Sequence, residues 1–514
     1  MKGIFCKINI GEGKLTIIQF FAAYKVLLGN KVYIVCISPI YAERDAKDII
    51  KKYFYNNLNI KVGAATEEKI YSLDIVYGDI IQFSSDILLQ DYEFIKRRGK
   101  RGYDVVIIDE VDRMCIDYIG AKIQLTKRIS GYQSFYTFYY LIIYAFTLIA
   151  FEMNLTKNRK DIEDKRDIIK NQVLLRLMGN SFYLDNGEEK KNIKKAIPKL
   201  ITKDKDGKIK LFEIDGKNTF GILYPNCLKE KIENWIDSVI TSFSMVENMD
   251  YRIVSNKEKY KRVVPADFCY GSNIWNEALH QILQIINDAE IFPENINTNF
   301  LLLISFFKKY KELYGLTGDI GSKFNQETLQ NLYNVEFYFI PPNFEILLNK
   351  RSELFFSDEK KWQSKIINEI KEIFLENRSV LLVCSSINDG EKFANILKKN
   401  GIFNIKKYFI EKHKNAVEEV LEQKYVIIAS NIARDGVYIK LSKNLQEVGG
   451  LHVILSYIPI NQRFEEQIYR KAIISGKKGS YSLIFMYNSD NPNLTVESIK
   501  KKREAVEKEK VEFF

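Results

Sequence analysis

Short runs of β-branched and apolar residues, separated by stretches with helical periodicity, constrain the fold of this 514-residue chain more than any other feature. Two runs come early, at 31–38 and 103–110, and four come late, at 379–386, 424–431, 451–457 and 481–487. Apolar runs that end in polar residues are typical of strands buried on both faces of a parallel sheet. The pattern predicts an α/β protein with two lobes, each built on a parallel sheet.

The same pattern predicts the domain organisation. The paired prolines of "IPPNF" (340–344) interrupt any regular element and mark the start of the second lobe. Residues 130–295 lack the alternation of strand and helix, which indicates a domain inserted into the first lobe. We therefore predict a first lobe at 1–130, an inserted domain at 131–295, a return to the first lobe at 296–344, a second lobe at 345–490 and a charged tail at 491–514.

Composition excludes some classes of site and leaves the partner open. The formal net charge of +11 fits a nucleic acid, an anionic membrane surface or simple solubility. Six scattered cysteines form no C-x-x-C, and three histidines form no metal spacing, so neither a zinc knuckle nor a disulfide framework is supported. The first residues contain no apolar run typical of a secretory signal, which predicts a cytoplasmic protein.

One apolar segment leaves three interpretations open. Residues 129–151 contain no charged side chain, and "FYTFYYLIIYAFTLIAF" (135–151) has only two threonines among its apolar and aromatic residues. Its 17 residues are at the short limit for a membrane-spanning helix, which needs about 20. The alternatives are a helix buried in a protein core and a helix that contacts a membrane surface.

A glycine-rich loop is the first candidate for a functional site. Gly11, Glu12, Gly13 and Lys14 precede an apolar stretch that reads as a helix up to Leu28. Backbone N–H groups of such a loop, together with the helix dipole, bind phosphate oxygens, and a lysine there neutralises the β and γ phosphates. The loop departs from G-x-x-x-x-G-K-[ST] because it is followed by an apolar side chain instead of the hydroxyl that binds Mg²⁺.

An acidic sequence at the end of a predicted strand is the second candidate. "VVIIDEVD" ends an apolar run with Asp109 and Glu110, and Asp112 follows. Carboxylates at the end of a buried strand are costly unless a positive charge offsets them. We therefore predict that Asp109 holds Mg²⁺ and that Glu110 orients or deprotonates the attacking water in a nucleotide site, with an ordinary polar strand exit as the alternative.

The two motifs and two lobes resemble superfamily 2 motors, and longer segments resemble the SecA protein-translocase family. "GEGKLTIIQFFAAYKVLLGNKVYIVCISPIYAERDA" follows that family's phosphate loop, helix, strand and "AQRDA" segment. "YGLTGDIGS" (314–322) is similar to "AGMTGTA", "IASNIARDGVYIKL" (428–441) to "IATNMAGRGTDIKL", and "GGLHVI" (449–454) is identical. Inside the insertion, "IWNEALHQ" (274–281) resembles "RWSDGLHQ" of the SecA preprotein cross-linking domain. "IPINQRFEEQ" is especially similar to the divergent SecA-like proteins of eukaryotes.

The resemblance implies two RecA-like lobes that close on ATP with Mg²⁺, and an inserted α+β domain that binds preprotein. It implies unfolded polypeptide as the partner and peripheral contact with a membrane, and it makes nucleic acid an unlikely ligand. Trp275 is expected to anchor the inserted domain, and His280 and His452 are expected to be structural. The family's upstream adenine-binding motif and C-terminal scaffold have no counterpart here, so we expect incomplete translocation activity.

Departures inside the motifs predict impaired hydrolysis. Leu15 replaces the magnesium-binding threonine, and Thr16 lies about 100° further round the helix, so it does not simply substitute. The family's "GRGTD" is replaced by residues 434–438, "RDGVY". In "EEQIYRKAIISG", Lys471 is the expected second-lobe cation beside Arg470, and Ile474 stands where an arginine is expected. Two other functions remain open, a non-enzymatic polypeptide-interaction module and a nucleic-acid helicase.

Overall fold

The computed structural model describes most of the chain. The described residues are 2–9, 11–47, 54–66, 70–128, 136–157, 159–178, 201–203, 209–211, 225–247, 250–255, 261–265, 275, 277–292, 295–343, 345, 347–409, 419–430, 439–476, 478–487 and 494–512. Residues 127–296 form one compact unit, and residues 1–126 with 297–514 form another. The second of these units contains two parallel sheets.

The first residues of the chain alternate strands and helices. The elements are β1 (Lys2–Lys7), α1 (Lys14–Leu27), β2 (Val32–Cys36), α2 (Pro39–Lys47), β3 (Val62–Ala64), a 3₁₀ helix (Ile70–Ser72), β4 (Ile75–Asp79), α3 (Ile80–Tyr92), β5 (Val105–Asp109) and a π-helical turn (Asp112–Asp117). Every residue of β2 and β4 is buried, as expected for parallel strands covered on both faces.

Helix α1 begins and ends at glycines. Gly13 precedes it with a φ of +82°, and Gly29 follows it with a φ of +89°, a region of backbone conformation that other L-residues rarely adopt. Ile18, Ala22 and Ala23 form its buried side, at the spacing that one face of a helix requires. The helix therefore packs on the sheet with its first turn directly after the glycine-rich loop.

The insertion follows β6 (Lys122–Arg128) and is mainly helical where it is described. Its elements are α4 (Tyr136–Glu152), α5 (Arg159–Asp164), α6 (Arg166–Met178), β7 (Ile201–Lys203), β8 (Ile209–Leu211), α7 (Pro225–Ser244), β9 (Tyr251–Ser255), β10 (Lys261–Pro265) and α8 (Leu279–Ile286). Trp235 of α7 is completely buried and packs edge-on against Tyr139 of α4, with ring centroids 5.1 Å apart. These two aromatic rings belong to the insertion's core.

The 135–151 segment is a helix of that core. Helix α4 packs against α6 and α7, with Ile142, Phe146 and Ile149 buried, whereas Tyr140 and Phe151 are exposed. Among the described helices, none has the length and apolar character needed to cross a membrane. The interpretation of this segment as a core helix is the one that fits its buried face.

The chain then completes the first sheet. The elements are β11 (Asn295–Leu302), which pairs with β6, then α9 (Leu303–Lys308), β12 (Glu312–Thr317), α10 (Lys323–Tyr333) and β13 (Val335–Phe339). The strand order is β13-β1-β12-β5-β2-β4-β3, with all neighbouring strands parallel. This order places β12 between β1 and β5, so the ends of these three strands lie side by side.

The second sheet has six parallel strands in the order β14-β19-β18-β15-β17-β16. Its elements are β14 (Leu348–Phe356), α11 (Glu359–Leu375), β15 (Ser379–Val383), α12 (Ile387–Lys399), β16 (Ile405–Tyr408), β17 (Val426–Ala429), α13 (Lys443–Glu447), β18 (Leu451–Leu455), α14 (Gln462–Tyr469), a 3₁₀ helix (Arg470–Gly476), β19 (Gly479–Met486) and α15 (Val496–Glu512). We call the elements around the first sheet the first lobe and those around the second sheet the second lobe.

The α/β class with two parallel sheets is confirmed, and the six apolar runs that predicted strands are β2, β5, β15, β17, β18 and β19. The exact domain boundaries stay predictions. The charged tail contains an ordered element, since α15 is a helix with Ile499 and Val511 buried.

A buried polar network lies between α11 and strands β18 and β19 of the second sheet. Nδ1 of His452 lies 2.8 Å from Oγ of Ser480, and its Nε2 lies 3.3 Å from Oε1 of Glu369. The hydroxyl of Ser482 also donates to Glu369. Burial raises the pKa of Glu369, but the contacts with His452 and Ser482 outweigh it and lower that pKa to about 2. Burial lowers the pKa of His452, so the neutral imidazole is the folded form.

This network predicts that the second lobe loses stability in acid. A carboxylate whose pKa is lower in the folded than in the unfolded chain stabilises the fold above pH 4.5, and this contribution disappears between about pH 4.5 and pH 2. The lowered pKa of Glu369 corresponds to roughly 3 kcal/mol of folding free energy at neutral pH. We expect Glu369→Gln to flatten the acid limb of the free energy of unfolding against pH, measured by urea titration. An acid limb as steep as that of the wild type would contradict this role.

Candidate functional site

The glycine-rich loop joins β1 to α1. Gly11 and Gly13 have φ of +83° and +82°, so both need the conformational freedom of glycine. The N–H of Glu12 donates to the carbonyl of Asn9 at 3.3 Å, and the N–H of Thr16 donates to that of Gly13 at 2.9 Å. The loop therefore leads directly into the positive end of the α1 dipole, where anions bind.

Lys14 and Glu110 are in contact. Nζ of Lys14 donates to Oε1 of Glu110, and the two side chains are 11% and 25% exposed. The contact joins two motifs 96 residues apart because β1 and β5 flank β12 and because functional loops of a parallel sheet follow the carboxyl ends of its strands. The structure thus brings together the two candidate motifs found in the sequence.

Burial and like charge control the protonation of the site. Burial, followed by the neighbouring charge of Glu110, raises the pKa of Asp109 to about 7, although Lys14 acts in the opposite direction. Burial lowers the pKa of Lys14, but the carboxylates of Glu110, Asp109 and Asp112 outweigh it, so that pKa is raised and the lysine stays charged. We call Asp109, Glu110 and Asp112 the acidic edge. Because Asp109 is partly protonated near neutral pH, a cation bound at this edge would stabilise its ionised form.

The donor set at this edge fits Mg²⁺ in the way nucleotide sites use it. No group of three or more metal-ligating side chains occurs within the described ranges. Mg²⁺ commonly binds one or two carboxylates and completes its shell with phosphate oxygens and water. Asp109 is the candidate protein ligand. Leu15, half-buried in the first turn of α1, offers no side-chain oxygen.

The backbone at Glu110 is strained. Its φ is +65°, a conformation that costs a residue other than glycine about 1–3 kcal/mol. The Glu110 N–H donates to the carbonyl of Leu316 at 3.0 Å, and its own carbonyl accepts the N–H of Met114 at 3.2 Å. Such strain is concentrated at functional sites, because it fixes a side chain in a direction that relaxed backbone would not give.

The π-helical turn after Glu110 connects the first lobe to the second. Oδ1 of Asp112 accepts the hydroxyl of Thr317 at 2.7 Å, and its Oδ2 accepts Nε2 of Gln467 at 2.7 Å. Oδ1 of Asp117 accepts Nη2 of Arg463 at 2.7 Å and Nδ2 of Asn461 at 3.1 Å. Asp112 was predictable from the sequence, whereas Asp117, Asn461 and Arg463 were not; Asn461 and Arg463 had one signal, their place in "IPINQRFEEQ", and Asp117 had none.

A second-lobe arginine contacts the loop. Nη1 of Arg470 donates to Oδ1 of Asn9 at 2.6 Å. Lys471, the expected second-lobe cation, follows it in the same 3₁₀ helix and is 5% exposed. Arg470 and Lys471 have different environments because adjacent residues of a helix point in directions about 100° apart or more. From the sequence, Arg470 was identified only as an arginine one position away from the place where the family's motif has one.

The remaining predicted residues have diverse environments. Oε1 of Glu12 accepts the N–H of Asn343, in the segment between the two lobes, at 3.1 Å. Thr16 is exposed on α1. The changes at 434–438 lie outside the described residues, and so does the side chain of Ile474.

In the insertion, Trp275 packs against the apolar cluster that contains Val263 and Leu283, in agreement with an anchoring role. Its ring lies 5.7 Å from that of His280, which is 4% exposed. Burial lowers the pKa of His280 to about 4, so its imidazole is neutral at physiological pH. His452 is completely buried in the second lobe. These environments fit the structural roles expected for both histidines.

Comparison with known proteins agrees with the site's motifs. Residues 1–327 match the family model of the SecA DEAD-like domain, and residues 346–449 match that of the SecA P-loop domain. The protein translocase subunit SecA of Aliarcobacter butzleri is 25% identical over 96% of this chain and 54% of its own length. That of Helicobacter hepaticus is 25% identical over 93% of this chain and 52% of its own length. The chain thus spans about half the length of these relatives.

Similarity to solved structures is weaker. The structure of S. tokodaii Xpd4 is 12% identical and covers 94% of this chain, with a TM-score of 0.37. A helicase structure, MrfA bound to DNA and AMPPNP, is 10% identical and covers 98% of this chain, with a TM-score of 0.41. Scores this low carry no functional information.

The half-buried Lys14–Glu110 contact predicts strong coupling between the two side chains. Lys14→Met leaves carboxylates without their cation, whereas the further change Glu110→Gln removes part of that charge. We expect a double-mutant cycle on the free energy of unfolding to give a coupling of about 1–3 kcal/mol. The matched control is the Lys311–Asp104 pair, at 2.8 Å but with the lysine 77% exposed, for which we expect much weaker coupling. Equal coupling in the two pairs would show that Lys14 is not a buried counter-charge.

Proposed function

We propose that this chain, which belongs to the SecA family, binds a nucleotide. The single observation that carries the proposal is the contact between Lys14 of the phosphate loop and Glu110 of the acidic edge. A triphosphate that enters the loop would take Lys14 as its counter-charge and leave the acidic edge facing the phosphates. This geometry selects a nucleoside triphosphate with Mg²⁺, and membership of the SecA family makes ATP the proposed nucleotide.

Each candidate site residue of the first lobe would have a separate role. The amide groups that follow Gly11, Glu12 and Gly13, together with Lys14, would hold the β and γ phosphates. Asp109 would hold Mg²⁺ directly or through water, and the ion would neutralise charge on the phosphate oxygens. Glu110, fixed by its strained backbone, would accept the proton of the attacking water.

The second lobe would complete the site. Its 3₁₀ helix at Arg470 contacts Asn9, and Lys471 is the neighbouring cation on the same element. Asp112 holds Gln467 of α14, so the acidic motif and the second lobe meet at a buried hydrogen bond. Closure of the two lobes on a nucleotide would bring cationic groups toward its phosphates, which is the geometry that accelerates phosphoryl transfer.

We propose that hydrolysis is slow or absent. Leu15 and Thr16 provide no hydroxyl at the position where the family coordinates Mg²⁺, since Leu15 is apolar and Thr16 points elsewhere on α1. Ile474 replaces an arginine, and an arginine that reaches the γ-phosphate is worth about 10³- to 10⁵-fold in rate. A chain with these changes would retain nucleotide binding and lose most of its turnover.

The biological role that follows is polypeptide handling in protein transport. The relatives are protein translocase subunits, and 274–281 of the insertion resembles a segment of the preprotein cross-linking domain. We propose that the insertion binds unfolded polypeptide and that the protein acts in the cytoplasm, with peripheral membrane contact. The exposed rings of Tyr140 and Phe151 on α4 offer aromatic surface for either contact.

Nucleotide binding is tested by calorimetric titration with ATP and Mg²⁺. We expect Lys14→Ala to weaken binding about 10- to 100-fold, because it removes charge-assisted contacts with phosphate. Lys47→Ala removes an equal charge from a lysine that is 65% exposed on α2, and we expect wild-type affinity. If Lys14→Ala titrates like the wild type, the nucleotide does not bind in this loop.

Loss of hydrolysis is tested by restoring the family's residues. We expect the double variant Leu15→Thr with Ile474→Arg to raise ATP turnover at least tenfold, measured as phosphate release with and without unfolded peptide. The same double variant with Lys14→Ala is the control and should stay inactive. An unchanged rate in the double variant, together with normal ATP binding, would remove this explanation of the loss.

A further inference from the structure

The first half of α15 is fixed to the second lobe. Ile499 is 4% exposed and belongs to that lobe's core. Nζ of Lys500 lies 2.7 Å from Oε1 of Glu465, and Nη1 of Arg503 lies 2.7 Å from Oε2 of the same carboxylate. Lys500 also pairs with Glu353 of β14. Two cations on one buried carboxylate hold this half in place, since moving the helix away would leave Glu465 buried without either of its cations.

The second half of α15 belongs to the core of the other lobe. Val511 is 2% exposed and belongs to the first-lobe core that contains Leu329 and Tyr333 of α10. One turn earlier, Nζ of Lys508 lies 5.4 Å from the ring centroid of Phe324. At 1.5 Å per residue, Val511 lies about 18 Å along the helix from Ile499. A single rigid helix therefore spans from one core to the other.

The middle of α15 adds a third connection. Oε1 of Glu507 lies 2.5 Å from Nη2 of Arg463 in α14, and the same nitrogen lies 2.7 Å from Oδ1 of Asp117 in the first lobe. Arg463 is 3% exposed, so this chain of charges is shielded from water. The contacts of α15 are consequently stronger toward the second lobe, where it has a core residue and four ion pairs, than toward the first.

We propose that α15 is a strap that holds the two lobes together and limits the rate at which they separate to release nucleotide. The strap stays on the second lobe, and its last turns leave the first lobe when the lobes open. The inference rests on the proposed function, because nucleotide release is its consequence. The contact of α15 with both cores does not depend on any ligand.

Val511→Asp tests the strap by placing a charge in the first-lobe core. Spin labels at Lys311 and Lys392 report the distance between the lobes, since the two residues lie on different lobes with side chains 77% and 60% exposed. In the full chain we expect a longer and broader distribution of this distance. We also expect release of a fluorescent ADP to be about tenfold faster or more. The factor follows from the apolar burial that is lost. Val506→Asp, 60% exposed on the same helix, should leave both at wild-type values.

A wild-type distance distribution in Val511→Asp would overturn the strap. If the wild-type chain binds no fluorescent ADP, the proposed function fails, but the distance measurement still decides the strap.

Lys508→Glu provides a second variant on the surface, with its side chain 59% exposed, and we expect a smaller change in the same direction. Lys501→Glu, also exposed, is its control and should match the wild type. Identical distances in Lys508→Glu and Lys501→Glu would contradict the proposal if Val511→Asp does not fold.

Discussion

The ammonium group of Lys14, held among three carboxylates, is the interaction on which the candidate site depends. Asp109, Glu110 and Asp112 lie at the end of β5 and just after it, and burial raises the pKa of Asp109. Because the raised pKa of Asp109 leaves that carboxyl partly protonated near neutral pH, a cation bound at the edge would stabilise its ionised form. The loop amides beside it are receptive to an anion. A magnesium–nucleotide complex meets both requirements at once.

The same acidic segment connects the site to the rest of the molecule. Asp112 and Asp117, at the two ends of the π-helical turn, both accept hydrogen bonds from α14 or the residue that caps it. Because the turn begins two residues after Glu110, a change in lobe contact would reach the candidate base through a few backbone atoms. π-Helical turns are often found at functional sites, where they redirect side chains that an α-helix would place elsewhere.

Much of the fold follows from the sequence, and the reasons are local. The strands β2, β5, β15, β17, β18 and β19 were predictable because each is a continuous apolar run, and α1 because glycines bound it. Strands β1 and β14 were not, since "KGIFCK" and "LNKRSELFF" contain charged residues and β14 is mostly half-buried or exposed. Such strands form because neighbouring strands provide their hydrogen bonds, and the periodicity of a single sequence does not reveal those neighbours.

By itself, the sequence determined the parallel α/β lobes, the glycine-rich loop before α1 and the acidic residues at the end of β5, because backbone conformation at glycine and burial at apolar runs are local properties. It also contained the family's segments. Only the tertiary structure decided that Lys14 contacts Glu110, that Arg470 is the arginine beside Asn9, and that α15 links two cores. Those contacts join residues 96 to 461 positions apart, and their partners are selected by strand order and helix register after the chain has folded.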